Sequence, residues 1–234
     1  MTQPVALITG AGRGIGRATA EAFAAEGWAV VIAEVCAALG RRAERALTRT
    51  GAPALFVVTD VAKPHSVERA LNAALRRFDR LDCVVNNAGV LTPGPLIRLA
   101  LDELDEMLAV NLRGPLLVCR ATVPILRLLG QGAIINVASQ LGKHGSGDYA
   151  TYCSTKFGVV GLTEALADEL VGTGVNVWAV CPGLVDTDMA RRAVGVTKRE
   201  RARLIRPQAV ARAIVALATG RRRPPSGAAI DVLR

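Results

Sequence analysis

Apolar runs of strand length alternate with stretches of helical period along the chain. Val5 to Ile8 leads into a helical pattern from about Gly14 to Glu26, and Ala29 to Ala33 into another that ends near Arg49. Further apolar runs stand at Ala54 to Val58, Cys83 to Val85, Ala133 to Val137, Val175 to Val180 and Ala229 to Val232, with helical stretches between most of them. Parallel pairing follows from that alternation, because each helix carries the chain back to the start of the next strand. The pattern predicts an α/β fold, a Rossmann-type doubly wound parallel sheet of about seven strands with helices on both faces. Ligands of such sheets sit beyond the carboxyl ends of the strands, where Gly10, Glu34, Asp60, Asn86, Ser139 and Pro182 all fall.

Composition narrows the class. The chain has 234 residues, 51% of them apolar, with no linker or low-complexity segment, so a single domain over 1–234 is expected. No apolar run approaches the roughly 20 residues that span a bilayer, and the N-terminus enters a strand without a charged leader, so a cytoplasmic protein without a membrane partner is expected. Five scattered cysteines (Cys36, Cys83, Cys119, Cys153 and Cys181) and two distant histidines (His65 and His144) form no ligand spacing, which predicts reduced thiols and no metal. The net charge of +9 comes almost wholly from arginine, with few aromatics to stack bases, so a nucleic-acid partner is not expected. The densest clusters, Arg191-Arg192, Lys198 to Arg203 and Arg221 to Arg223, read first as solvated faces, with an anionic substrate group as the alternative.

The candidate chemistry lies in a few spacings. Thr9 to Gly16 carries Gly-x-x-x-Gly-x-Gly after the first strand, so that backbone N–H groups at a helix N-terminus can meet a pyrophosphate; the bland alternative is a loop without a ligand. Glu34 ends the second strand, where a carboxylate accepts from a ribose and repels a 2′-phosphate. Tyr152 and Lys156 are four residues apart and share a helix face, so an ammonium beside the phenol should favour its phenolate and bring a group that titrates near about 10 toward neutral pH. Asn111 lies in a helical stretch from about Asp102 to Leu129, and Pro115 removes the N–H that would bond its carbonyl, so a kink is expected there, for packing or for function.

Five elements in order resemble the short-chain dehydrogenase/reductase family over nearly the whole chain. They are Thr9 to Gly16, Asn86-Asn87-Ala88-Gly89, Asn111, the Ser139/Tyr152/Lys156 set, and Pro182-Gly183 followed by Thr187. The resemblance implies hydride transfer between a nicotinamide and a secondary alcohol or ketone. Tyr152 would be the acid/base, Ser139 would hold the reacting oxygen, Lys156 would tune the phenol and hold the nicotinamide ribose, and Asn111 would keep a relay water. It implies cofactor contacts at Gly10, Arg13, Gly14, Ile15, Gly16, Glu34, Asp60, Val61, Asn87, Ala88, Gly89, Tyr152, Lys156, Pro182, Gly183, Val185 and Thr187. Asp60 and the Asn86 to Gly89 turn could equally be ordinary turn residues. Glu34 favours NAD over NADP, although aspartate is usual at that place and Arg13 is common in members that use NADP; Arg41 and Arg42 could also reach the ribose.

Substrate contacts are expected from Ser139, Gln140, Leu141, His144 and Tyr152, with Leu91 and Thr92 nearby and Tyr149 in the pocket wall. Asp188 to Arg206 is expected to form a small basic lid. The resemblance also implies a homotetramer or homodimer paired through the helices around Asn111 and Tyr152. Two rival activities stay open: an NADPH-linked 3-oxoacyl thioester reductase, weakened by the missing Asp-Gly-Gly ending, and a dinucleotide-sensing regulator without turnover.

Overall fold

The computed structural model describes residues 3–195 and 203–233. Its strands are β1 (Val5–Thr9), β2 (Ala29–Glu34), β3 (Ala54–Val58), β4 (Cys83–Asn86), β5 (Gly132–Val137), β6 (Val175–Pro182) and β7 (Ala229–Val232). Its helices are α1 (Gly14–Ala25), α2 (Ala37–Arg49), α3 (Pro64–Phe78), α4 (Leu101–Leu108), α5 (Gly114–Leu129), α6 (Ala150–Glu169), α7 (Asp188–Val194) and α8 (Pro207–Ala218). All seven strands pair in parallel in the order β3-β2-β1-β4-β5-β6-β7. The expected doubly wound sheet is therefore present. Its order reverses between β1 and β4, which opens a crevice at their carboxyl ends.

Successive residues of β1 face opposite cores, which is why its apolar run is unbroken. Ala6 and Ile8 pack with Phe23 of α1, Ala43 of α2 and Ile214 of α8. Val5 and Leu7 pack with Val67 of α3, Val118 and Leu126 of α5 and Leu166 of α6. Strands run one or more residues past their apolar stretches, to Thr9, Glu34, Asn86 and Pro182. Each strand thus delivers a residue at the sheet edge where the crevice lies.

The stretch from α4 to α5 departs from the expected kink. Ala109–Arg113 is a π turn, in which the Gly114 N–H reaches back five residues to the Ala109 carbonyl. Pro115 lacks a backbone donor, and a widened turn accommodates that without breaking the rod. The turn seats Asn111 in the interior with no solvent exposure. Of the expected lid, α7 is formed, and the Lys198 to Arg203 cluster lies outside the described residues except for Arg203.

A buried polar chain ties the sheet to α6. Asn86 Nδ2 donates to Asn136 Oδ1 at 2.8 Å, Asn136 Nδ2 donates to Thr163 Oγ1 at 2.9 Å, and Thr163 Oγ1 donates to the Val159 carbonyl at 2.8 Å. Asn136 and Thr163 are wholly buried, so removing the middle member strands two polar partners. Asn136→Ala should cost about 3 kcal/mol. In a thermal melt its Tm should fall by roughly 5–10 °C; an unchanged melt would show that the chain carries no stability.

Candidate active site

The cofactor end is built from backbone groups held by side chains. Gly10 sits at φ +63°, and its N–H bonds the Ala33 carbonyl at 2.8 Å, turning the chain out of β1. A Cβ on Gly16 would stand 2.3 Å from the Gly10 carbonyl oxygen and 2.4 Å from Asn87 Nδ2, so only glycine lets α1 start this close to β1. Thr9 Oγ1 accepts from the Asn87 and Ala88 N–H groups, both at 3.0 Å, while Asn87 Nδ2 donates to the Thr9 and Gly10 carbonyls. The loops after β1 and β4 are thereby locked side by side. The α1 N-terminus opens between them, a place where unpaired N–H groups favour an anion.

Glu34 is 7% exposed, and its two carboxylate oxygens accept from the Gly12 N–H and the Cys36 N–H, each at 3.0 Å. It therefore pins the glycine loop to the loop after β2. Asp60 Oδ1 accepts from the Ala62 N–H at 3.0 Å, and its other oxygen lies 3.3 Å from Lys63 Nζ.

At the other end, α6 brings Tyr152 and Lys156 beneath the tip of β5. Lys156 is 4% exposed, donates to the Val137 carbonyl at 2.8 Å, and has its ammonium 5.5 Å from the centre of the Tyr152 ring. Ser139 caps the turn Gln140–Gly142, with Oγ accepting from the Leu141 N–H at 3.1 Å. Burial dominates both titrations. It pulls Lys156 down to about 8 and pushes the Tyr152 phenol up to about 12, a hydrogen bond with Ser139 opposing the rise. This corrects the expectation of a phenol brought toward neutrality. Loss of hydration in the crevice outweighs the hydrogen bond with Ser139, so phenol is favoured over phenolate.

These groups share a cavity of about 640 Å³. Every residue predicted for the site lines it except Gly16, Asn111 and His144. Gly16 acts from behind as a spacer. Asn111 is bonded in both directions to Val90, Oδ1 accepting from its N–H and Nδ2 donating to its carbonyl, both at 2.8 Å. His144 is exposed on the loop beyond the Gln140–Gly142 turn, away from the cavity, because that turn directs the chain outward. Leu91 and Tyr149 line the cavity, whereas Thr92, Arg41 and Arg42 do not. Arg191 of the expected lid is held by Asp186 and Asp188. Sequence reasoning missed Glu106 of α4, Val110 of the π turn, and Val35, an apolar residue left 63% exposed just past β2. The last carries a readable signal, since an apolar residue at a strand's carboxyl end faces the ligand side.

The glycine cradle, the ordered loop donors and a long cavity joining Glu34 to Tyr152 fit a dinucleotide with its nicotinamide end near Ser139. The residues present can support proton transfer at Tyr152 next to a bound oxygen. No group of His, Cys, Asp and Glu among the described residues could hold a metal, and no described helix is long and apolar enough to cross a membrane.

Comparison with known proteins agrees with this geometry. Residues 4–195 match the family described as short chain dehydrogenase. A 3-oxoacyl-[acyl-carrier-protein] reductase of Synechocystis sp. is 38% identical over 190 residues, 81% of this chain and 77% of that protein. A D-threitol dehydrogenase of Mycolicibacterium smegmatis is 37% identical over 189 residues, 81% of this chain and 73% of that protein. Among solved structures, levodione reductase superposes with a TM-score of 0.92 at 30% identity, covering 99% of this chain and 96% of its own. The 3-ketoacyl-(acyl-carrier-protein) reductase from Brucella melitensis complexed with NADH gives 0.90 at 33%, covering 99% and 97%.

The buried lysine has a thermodynamic signature. Its folded pKa is about 8 against an ordinary value of 10.5, so between those values the unfolded chain binds more protons and stability rises with pH. Tyr152 acts oppositely: with a folded pKa of about 12, its contribution is present below its ordinary value of 10 and is lost as pH climbs from there. Below pH 8 the lysine costs the folded state about 3 kcal/mol. Lys156→Met should therefore melt a few degrees above the wild type at pH 7, the loss of the bond to Val137 limiting the gain, and the difference should shrink between pH 8 and 10.5. A Tm gap that does not vary with pH would refute the buried-charge account.

Proposed function

The chain belongs to the short-chain dehydrogenase family, and on that premise we propose an NAD(H)-preferring oxidoreductase that interconverts a secondary alcohol and its ketone, with residues 1–234 as one dinucleotide-binding domain. The observation that carries this reading is the convergence of Ser139, Tyr152 and Lys156 at the end of a cavity that begins at Glu34. Bound nicotinamide supplies or accepts the hydride. Ser139 Oγ fixes the reacting oxygen beside the phenol. In reduction Tyr152 enters as the phenol that burial favours and gives its proton to that oxygen. In oxidation it must first become the phenolate, and Lys156, 5.5 Å from its ring centre, offsets that charge while it stays protonated. Asn111 acts at one remove, holding the Val90 backbone at the cavity wall.

The preference for NAD rests on the buried Glu34 carboxylate at the ribose end, which repels a 2′-phosphate. The Brucella relative's complex with NADH is consistent with that preference, while Arg13 in the cavity lining works against it. A second reading, an acyl-thioester reductase, is favoured by the Synechocystis relative's activity. A sensor without turnover is disfavoured because dinucleotide binding alone has no use for a tyrosine, a serine and a buried lysine at one point. Pairing of copies is supported by Leu108, Leu116 and Phe157, exposed apolar residues of α4, α5 and α6.

Absorbance at 340 nm, with NADH and NADPH over a panel of ketones and acyl thioesters, tests the reading. Tyr152→Phe should lower kcat by about 10²–10⁴-fold while NADH binding is retained; full activity in that variant, or tight binding with no turnover in the wild type, would overturn it. Reduction should be fastest near or below neutral pH and oxidation should climb as pH rises, since only oxidation needs the phenolate. Glu34→Ser should narrow the preference for NADH over NADPH by about tenfold or more.

A further inference from the structure

The π turn Ala109–Arg113 bonds two separate stretches of the cavity wall. Asn111, buried, holds the Val90 backbone. Arg113, the last residue of the turn, is exposed, and its Nη1 donates to the Ala62 carbonyl at 2.7 Å, 51 residues away in the chain. Ala62 belongs to the loop between β3 and α3, whose Asp60 and Val61 line the cavity. That loop starts beside Glu34, whose carbonyl accepts from the Thr59 N–H at 3.0 Å. Its further bonds are short-range: the Asp60 N–H donates to Ser66 Oγ at 3.0 Å, the Ala62 N–H to Asp60 Oδ1 at 3.0 Å and the Lys63 N–H to the Asp60 carbonyl at 3.1 Å. They shape the loop from inside, whereas Arg113 ties it to another element. Gly114, next in the chain, is buried and does not line the cavity, and a Cβ there would stand 2.9 Å from Val61 Cγ2. The start of α5 therefore backs Val61 directly.

An exposed hydrogen bond adds little to global stability, because water replaces either partner at small cost. Its worth lies in what it restrains. β3 is the edge strand, so the loop that follows it has a strand neighbour on one side only. A dinucleotide that runs from Ser139 to Glu34 lays its adenosine half against this loop, and a wall that must be ordered at the moment of binding weakens the complex. We propose that Arg113 is a positioning residue for the adenosine half of the dinucleotide, holding Asp60 and Val61 in place through the Ala62 carbonyl. This inference rests on the dinucleotide-dependent dehydrogenase reading given above. Arg113 does not itself line the cavity, so it acts through the loop and not by touching the cofactor. One π turn then steadies both walls, with Asn111 on Val90 and Arg113 on Ala62.

The test is calorimetric titration of Arg113→Met with NADH and with ADP-ribose, which keeps the adenosine half and lacks the nicotinamide, alongside steady-state kinetics over the ketone panel. Affinity for both ligands should fall by about five- to tenfold, the worth of one hydrogen bond left unmade. KM for NADH should rise by the same factor, with kcat at saturating NADH close to the wild-type value. Arg113→Lys keeps a donor for the Ala62 carbonyl and should recover most of the affinity. Gly114→Ala leaves Arg113 untouched but pushes Val61 toward the cavity, and should weaken ADP-ribose in the same direction. The loss in Arg113→Met should be equal at about 0.05 M and about 0.5 M salt; a loss that disappears at high salt would mean that the guanidinium attracts the cofactor phosphates through space, and would overturn the proposal. Unchanged affinities in Arg113→Met with wild-type turnover would also overturn it while leaving the dehydrogenase reading intact. So would a fall in kcat and Tm with KM unchanged, which marks the bond as structural only. Weakened NADH and ADP-ribose binding in Arg113→Met, with no ketone turned over by the wild type, would uphold the Arg113 assignment while the dehydrogenase reading fails.

Discussion

In a sheet whose strands all run the same way, every strand ends on one edge, and the backbone groups exposed there must find partners outside the ladder. Most polar residues of this site answer that demand first. Thr9 and Asn87 satisfy the loop after β4 and the end of β1, Glu34 takes two N–H groups, Ser139 caps a turn, and Thr187 Oγ1 accepts from the Ala190 N–H at the start of α7. Even Lys156 completes a carbonyl at the tip of β5. The crevice is thus made rigid by the same bonds that close the fold, and on the proposed reading chemistry is left to the Tyr152 phenol and the outer face of Ser139.

That economy has a thermodynamic consequence at Lys156. The sequence spacing places an ammonium near a phenol, but only the fold decides how much water reaches either one. Here burial raises the phenol and lowers the ammonium, so near neutral pH the phenol is uncharged and the ammonium is kept at a cost to the folded state. The folded state tolerates a group that an apolar residue would replace with profit, a pattern typical of functional positions. The asymmetry also bears on direction, since a neutral phenol is ready to donate and a phenolate has to be made.

How much could be read from the chain alone depended on range. The strands, the glycine turn and the Tyr152–Lys156 pair were legible because each is encoded within a few residues, by apolar runs, by glycine or by the i, i+4 face. Pro115 signalled a disturbance correctly, but the missing donor fits either a kink or a widened turn, and packing chose the π turn that buries Asn111. His144 lies only five residues from Ser139, yet the intervening turn carries it out to solvent, which proximity in sequence cannot foretell. Gln140 Nε2 donates to Asp231 Oδ1, 91 positions away and brought near by strand register, so nothing local announces that bond.

Glu34 shows why cofactor choice and loop shape cannot be tuned separately in this chain. A carboxylate that only met the ribose could be exchanged for a smaller group with a change in selectivity alone. This one also bonds Gly12 and Cys36, and its burial means that no water would readily replace it as an acceptor. On the proposed NAD reading, removing it both lifts the repulsion of a 2′-phosphate and leaves two backbone donors, Gly12 and Cys36 N–H, in search of partners. A serine restores at most one of those bonds. Selectivity can therefore relax in such a variant while affinity for either dinucleotide falls, and the glutamate's extra methylene, which lets it reach Gly12, explains why the longer side chain suits this loop.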